Sequence, residues 1–312
     1  MRKRRNKQQR QKQTYFIIGL LLIVGLAFSV YHAHQTKTVS NSYPVDETVT
    51  LTNTAKIYDS LSAIRETNTK FNTASTYKVN RYYLIDKDPH KVYAQIIYNG
   101  KNYFVRSTDT NIVMTNAINK YIAQAGYPHA DIEHQISSRF TQQQYGTTSG
   151  KPRGVIIHDT GNENSTINSE VSYMEKNYGT TRVFVHTFID AQQILNIADA
   201  KYMAEGAGPN ANPYFVQFEM PHEYTATAFA NQVANAAYYT AYNLKQGNLP
   251  VTKGNKNGGG TVWTHAMVSS YLGGTDHQDP ISYWSASAKK LFDTSYTIND
   301  FIVLVQAYYN KM

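Results

Sequence analysis

An uncharged apolar run at residues 15–31 (YFIIGLLLIVGLAFSVY) constrains this chain more than any other feature, because it divides the sequence in two. Residues 1–14 precede it and carry seven Lys and Arg side chains without one acidic residue. At 17 residues, the run reaches the lower limit for a helix that crosses the hydrocarbon core. Because Lys and Arg stay on the cytoplasmic side, we expect a transmembrane anchor at 15–31 with its N-terminus in the cytoplasm.

A cleavable signal peptide is the alternative interpretation of the same run. The residues that follow it, His-Ala-His-Gln at 32–35, fit the small-residue pattern of a cleavage site poorly. We therefore favour a single-pass protein in the cell membrane, whose residues from about 35 onward are extracellular. Cleavage would instead give a secreted protein.

The net charge of +8 belongs almost entirely to this N-terminal segment. Beyond residue 14 the chain carries 23 basic and 22 acidic groups, a net charge of +1, which argues against a nucleic-acid surface. The chain contains no cysteine, so disulfides, a thiol nucleophile and thiolate metal ligands are excluded.

The exported part divides into regions with different periodicity. Residues 32–47 are polar, contain Pro44 and are predicted to form a linker. Residues 48–111 alternate as strands do, and Asn99-Gly100 is a strong hairpin signal, so we predict a small, all-β, barrel-like domain. Residues 112–153 are predicted as a helix and linker. Strand and helix patterns alternate over residues 154–312, which predicts an α/β domain whose mixed central sheet is flanked by helices.

Three fragments of the α/β domain carry metal-binding side chains. His158 ends the apolar strand VIIH, His265 stands early in the helix WTHAMVSSYL, and the loop GGTDHQDP contains Asp276, His277 and Asp279. Each fragment alone is as typical of structural residues as of a site. Together, two imidazoles and one carboxylate suit Zn²⁺ with a fourth position open for water.

A zinc hydrolase also needs a general base, and Glu219 ends the apolar strand FVQFEM. Burial there would raise the pKa of the carboxylate toward the range useful for proton transfer. The alternative is a glutamate at a strand end that faces water.

The order and spacing of four segments, IIHDT, VHTFID, QFE and YLGGTDHQDP, resemble those of zinc-dependent N-acetylmuramoyl-L-alanine amidases of the type 2 family. This family includes relatives of peptidoglycan recognition proteins, and the closest likeness is to the amidase domains of Gram-positive autolysins. The resemblance implies that His158, His265 and Asp279 bind one zinc ion. It also implies that Glu219 is the catalytic glutamate and that His277 stabilises the transition state.

Two further positions match the family with less specificity. The resemblance places His186 and Asn162 near the substrate groove, and a packed strand histidine is the alternative for His186. Asp159 and Asp276 are interpreted as loop residues or as residues that support the ligands.

The resemblance implies a monomeric hydrolase that cleaves the amide between N-acetylmuramic acid and L-alanine of peptidoglycan, for wall turnover, cell separation or autolysis. In pattern alone, residues 48–111 resemble Src-homology-like barrels found beside wall hydrolases, so they either bind wall polymer or act as a spacer. The alternatives are a non-catalytic peptidoglycan receptor, a glycosidase that uses Glu219 and Asp279, and a membrane-tethered structural protein. A glycosidase would leave both histidines unexplained.

Overall fold

The computed structural model describes residues 38–62 and 65–312, which form two sheets with helices around the second. The predicted anchor at 15–31 and the basic segment before it lie outside these residues. Within the described residues, no helix is both long and apolar enough to cross a membrane.

The first sheet is antiparallel and has the strand order β3-β2-β6-β5-β4-β1-β7. Its strands are β1 (Val39–Leu51), β2 (Ile57–Ser60), β3 (Arg65–Glu66), β4 (Thr76–Ile85), β5 (Asp88–Tyr98), β6 (Lys101–Arg106) and β7 (Thr110–Ile112). A short 3₁₀ turn, Ser107–Asp109, precedes β7. In the part of the chain described, β3 and β7 are the two edges, so hydrogen bonding leaves this sheet open and does not close it into a barrel.

The structure confirms the predicted hairpin and corrects the predicted linker. Asn99 and Gly100 have φ values of 48° and 73° and join β5 to β6, as a type I′ turn requires. Residues 39–47, predicted as linker, instead form the first part of β1. This stretch pairs with β4 and buries Tyr43, so tertiary contacts support its place in the sheet despite its polar neighbours.

The second sheet is mixed, with the order β13-β9-β12-β10-β11-β8, as predicted for an α/β domain. Its strands are β8 (Ile132–His134), β9 (Val155–Ile157), β10 (Thr187–Ile189), β11 (Ile194–Asn196), β12 (Val216–Glu219) and β13 (Val262–Thr264). Only β10 and β11 pair antiparallel among the described pairs. Because β8 pairs with β11, the α/β domain begins before the predicted boundary at 154.

The described part of the chain forms six helices along with this sheet: α1 (Ala117–Gln124), α2 (Ile167–Thr181), α3 (Ala226–Gln246), α4 (His265–Tyr271), α5 (Ile281–Phe292) and α6 (Ile298–Lys311). The longest of these six, α3, begins where the Thr225 side chain accepts a hydrogen bond from the backbone N–H of Ala228, and it buries an alanine-rich face. Sequence patterns missed α2, because only Ile167 and Tyr178 of its residues are buried and its apolar stripe is weak.

The two sheets are joined through α6 by a buried polar network. The Tyr43 hydroxyl donates to Gln306 Oε1 at 3.3 Å, and Asn310 Nδ2 donates to the Tyr82 hydroxyl oxygen at 3.1 Å. Tyr82 in turn donates to Glu47 Oε2 at 2.7 Å. The β domain is therefore packed against the α/β domain and is not held at the end of an extended linker.

Candidate metal centre and active site

Three neighbouring parallel strands place the central side chains of the site at the carboxyl ends of the strands in the mixed sheet. Ile157 of β9 pairs with Thr264 of β13 on one side and with Phe218 of β12 on the other. The next residue along each strand direction is His158, His265 or Glu219, so these three lie at the same level across the sheet. Carboxyl ends of parallel strands are where α/β folds place their ligand sites.

Asp279 completes the cluster from the loop before α5. Its backbone carbonyl accepts a hydrogen bond from Ala266 N at 3.0 Å, which holds the loop against the start of α4. Its Oδ1 lies 3.0 Å from His265 Nδ1, and its Oδ2 lies 3.3 Å from His158 Nδ1. The two Nδ1 atoms are 2.9 Å apart.

These three donors fit a tetrahedral metal ion. Zinc bonds of about 2.0–2.1 Å in tetrahedral geometry place ligand atoms roughly 3.3 Å apart, close to the separations found here. Asp279 Oδ2 is buried and makes no hydrogen bond within the described chain, so it is free to act as a ligand. Burial lowers the pKa of His158, against the opposing effect of Asp279, which favours the neutral ring that a metal requires.

Glu219 lies beside this cluster with an unpartnered carboxylate oxygen. Its Oε2 is buried and has no hydrogen-bond partner among the described residues, although part of the residue remains accessible. Burial raises the pKa of Glu219 well above its usual value, and the nearby carboxylates of Asp279 and Asp159 raise it further. A carboxylate whose pKa is raised in this way is a stronger base than one in water, which suits it to accept a proton.

His277 lies against the cluster at the protein surface. Its ring stacks on that of His265 with centroids 4.7 Å apart and an interplanar angle of 16°. Its Nδ1 lies 3.6 Å from Asp279 Oδ1, yet 67% of the side chain is exposed. His277 is therefore placed where a ligand bound above the cluster would meet it, whereas Asp276 is exposed in the same loop.

The two predicted substrate contacts have different environments. Asn162 is exposed in the loop before α2, and its Nδ2 donates to Glu170 Oε1 at 3.2 Å. His186 is fully buried; its Nδ1 accepts from Gln217 N at 3.0 Å, and its Nε2 lies 2.8 Å from Tyr202 O. Burial lowers the pKa of His186 to about 4. This environment favours the alternative of a packed histidine, placed just before β10, and the predicted contact of His186 with substrate stays a prediction.

Sequence patterns missed a pair beside the metal cluster that joins the half-buried His222 to the buried Asp159. His222 Nε2 lies 2.6 Å from Asp159 Oδ2, and Gly161 N donates to the same oxygen at 3.0 Å. The His222 ring stacks on Tyr283 with a centroid separation of 4.0 Å and an angle of 1°. A lone His three residues after Glu219 carries no spacing signal, because its partners come from two distant segments.

Comparison with known proteins gives the same assignment. A family model described as N-acetylmuramoyl-L-alanine amidase matches residues 148–282. Protein Ami of Listeria monocytogenes is 40% identical over 195 residues, which are 62% of this chain and 20% of that protein. The bifunctional autolysin of Staphylococcus aureus strain NCTC 8325 is 40% identical over 170 residues, which are 54% of this chain and 13% of the autolysin. The chain thus spans about a fifth or less of the length of these curated relatives.

A solved structure agrees with this assignment over most of its own length. The crystal structure of Staphylococcus aureus hydrolase AmiA in complex with its ligand shares 36% sequence identity and a TM-score of 0.58 with this chain. The match covers 63% of this chain and 91% of the AmiA chain. With the cluster geometry and the family match, this likeness shows that the chain belongs to the N-acetylmuramoyl-L-alanine amidase family.

Proposed function

We propose that this protein is a zinc-dependent peptidoglycan hydrolase that cleaves the amide between N-acetylmuramic acid and L-alanine of the stem peptide. The observation that carries the proposal is the set of two imidazoles and one carboxylate, with unpartnered Glu219 in register beside it. The relatives named autolysins support peptidoglycan as the substrate and cell-wall turnover as the process.

The residues that would hold zinc are His158, His265 and Asp279, whose ligand atoms all lie within 4.8 Å of one another. When bound, zinc supplies Lewis acidity, which polarises a carbonyl and lowers the pKa of water from 15.7 toward about 7. A neutral His pair and one carboxylate would leave a net positive charge on such a site, which favours an anionic transition state.

The chain's own residues supply the proton transfers. Glu219 accepts a proton from the attacking water, since burial has raised the pKa of its carboxylate. It then gives that proton to the nitrogen of alanine as the amide C–N bond breaks, which leaves a carboxylate on the lactyl group and a free amine. His277, exposed above the cluster, donates a hydrogen bond to the oxyanion as it develops.

A matched pair of variants tests the role of Glu219. Glu219→Gln keeps the size of the side chain and removes the base, so we expect at least a hundredfold loss of wall hydrolysis with the zinc content unchanged. Glu133→Gln, at an exposed position of β8, should keep the parent rate. Hydrolysis by Glu219→Gln at the parent rate would refute the assignment.

The same proposal places the protein at the cell membrane, anchored by residues 15–31 with its catalytic domain outside, as the apolar run and the basic segment before it predict. Binding of wall polymer by the β domain stays a prediction. The two partners proposed are therefore peptidoglycan and the membrane.

A further inference from the structure

A polar cavity of about 230 Å³ lies beside α3, and none of the steps above uses it. Its walls come from residues 128–130, from the turn between β10 and β11, and from α3. No Asp, Glu, Lys or Arg side chain lines it. Ala191, one of its lining residues, donates its backbone N–H to Glu223 Oε1 at 2.9 Å. The cavity is therefore separated from the metal cluster by the loop that follows β12.

Two side-chain amides face this cavity without a partner. The described chain offers no hydrogen bond to the half-buried side chain of Asn231 or to the exposed side chain of Gln192. Asn235, one helical turn after Asn231, is fixed, because its Oδ1 accepts from Ala130 N at 2.8 Å and its Nδ2 donates to Asp190 O at 2.9 Å. Amides both donate and accept hydrogen bonds, so they suit a ligand with hydroxyl and acetamido groups.

His129 adds a flat ring to the wall of the cavity. Its ring stacks on Tyr238 with centroids 3.6 Å apart and an angle of 4°, and Tyr308 packs edge-on against Tyr238 at 6.1 Å. The Tyr308 hydroxyl donates to Pro128 O at 2.6 Å, which holds the segment that carries His129. An exposed ring whose orientation is fixed in this way offers an apolar surface to the C–H face of a sugar.

The cavity lies on an uncharged stripe along α3. Residues of this helix that remain exposed or half-buried recur every three or four positions around buried Asn235, which places them on one side of the helix; they include Thr227, Asn231, Tyr238 and Tyr242. Lys245 is the one charged residue of α3, and it is buried. From Thr227 to Tyr242 the stripe extends about 22 Å, at 1.5 Å per residue. This surface suits an elongated ligand that is polar and uncharged.

We propose that the cavity and the α3 stripe bind a neutral chain of N-acetylated sugars, the glycan part of the wall polymer, away from the bond that is cleaved. The inference rests on the proposed function, because that function brings the glycan to the protein. In the uncut polymer each lactyl carboxyl group is part of an amide, so the glycan carries no charge and matches the uncharged lining. His129 stacks on one sugar ring, and Asn231 and Gln192 bind its acetamido and hydroxyl groups.

Binding of a soluble sugar chain tests the inference apart from cleavage. A tetramer of N-acetylglucosamine would be titrated calorimetrically into the zinc-loaded, full-length protein in detergent. We expect millimolar or tighter binding, which His129→Ala and Asn231→Ala should each weaken about fivefold, the usual worth of one neutral contact. Asn177→Ala is the matched control, because it removes an amide of α2 that bonds only the backbone of its own helix, and it should keep the parent affinity.

No binding of the tetramer at millimolar concentration would overturn the inference, as would equal affinities for the parent and for both the His129→Ala and the Asn231→Ala proteins. Loss of binding in His277→Ala alone would place the sugar at the metal cluster and would also overturn it. Failure of the proposed function gives a different result. In that case the parent would bind the tetramer as expected and yet release no alanine amine from peptidoglycan.

Discussion

At the scale of single residues, the candidate metal centre depends on three donors from three separate segments. His158 follows β9, His265 opens α4, and Asp279 is held by a backbone hydrogen bond to the start of α4. Removing one donor leaves two, which is too few for a catalytic zinc site, because such a site has three protein ligands and an open fourth position.

We therefore expect His158→Ala protein to lose most of its zinc, from about one ion per chain to a small fraction, because three protein ligands are needed. Elemental analysis after dialysis against dilute zinc measures this directly. His90→Ala, which changes an exposed histidine of the β domain, should retain zinc at the parent level. Equal zinc content in the two variants would contradict the assigned ligand set.

Glu47 gives a second residue-scale prediction, on stability. Burial raises its pKa from 4.5 to about 7, although the hydrogen bond from Tyr82 acts in the opposite direction. The folded protein thus holds this proton more tightly than the unfolded chain does. The stabilisation from this bound proton is complete below about pH 4.5. It is lost as the pH rises through about 7, which lowers the free energy of unfolding by up to about 3 kcal/mol.

Glu47→Gln should remove this dependence and keep an acceptor for the Tyr82 hydroxyl. We expect the variant to match the parent near pH 4.5 and to exceed its free energy of unfolding by up to about 3 kcal/mol at pH 8.5. Urea unfolding at the two pH values measures the difference, with the exposed Glu66→Gln as the control. Parallel pH profiles for Glu47→Gln and the parent would count against a buried, proton-binding Glu47.

At the scale of elements, the placement of the active-site residues depends on the close packing of β9 against β13. A Cβ on Gly154, just before β9, would lie 2.3 Å from the backbone oxygen of Thr261, so neighbouring backbone would have to move. Gly179, in the exposed face of α2, has open space around the same position.

The two glycines give a matched pair of substitutions. Gly154→Ala should destabilise the protein by about 1–3 kcal/mol, the usual range for overpacking. Gly179→Ala should stabilise it by about 0.5–1 kcal/mol, because alanine favours the helix over the unfolded chain. Chemical denaturation of both variants measures the change in the free energy of unfolding. A stability loss in Gly179→Ala equal to that in Gly154→Ala would contradict this packing.

The helices and strands also show which elements can be predicted from local sequence patterns. Helices α5 and α6 and the Asn99-Gly100 hairpin follow from local signals, since their turns and apolar stripes lie in adjacent residues. The first half of β1 does not follow from local signals, because its place in the sheet depends on tertiary contacts. Helix α2 does not either, because its formation depends on its caps. His222 was missed for the same reason, since its role depends on Asp159 and Tyr283, which are distant in sequence.

At the scale of the whole molecule, the β domain and the α/β domain share one buried network at α6, and the sequence did not predict this contact. Gln306 and Asn310 of α6 contact Tyr43 and Tyr82 of the β domain. Buried polar groups of this kind resist separation, because each would lose a partner. The β domain is therefore positioned relative to the active site and does not swing freely around it.

Membrane localisation is also a property of the whole molecule. We expect the full-length protein to remain in the membrane fraction at 35.3 kDa, because residues 15–31 are uncharged and follow seven basic residues. Intact mass measurement of that fraction tests this. A mature form beginning near residue 35, recovered from the medium, would show a cleaved signal instead.

The bond that we propose the enzyme hydrolyses is the amide between N-acetylmuramic acid and L-alanine. Mass spectrometry of purified peptidoglycan after digestion with the zinc-loaded, full-length protein tests it most directly. We predict stem peptides with a free alanine amine and glycan strands with an intact lactyl carboxylate. New reducing sugar ends, with the peptides still attached to the glycan, would contradict it.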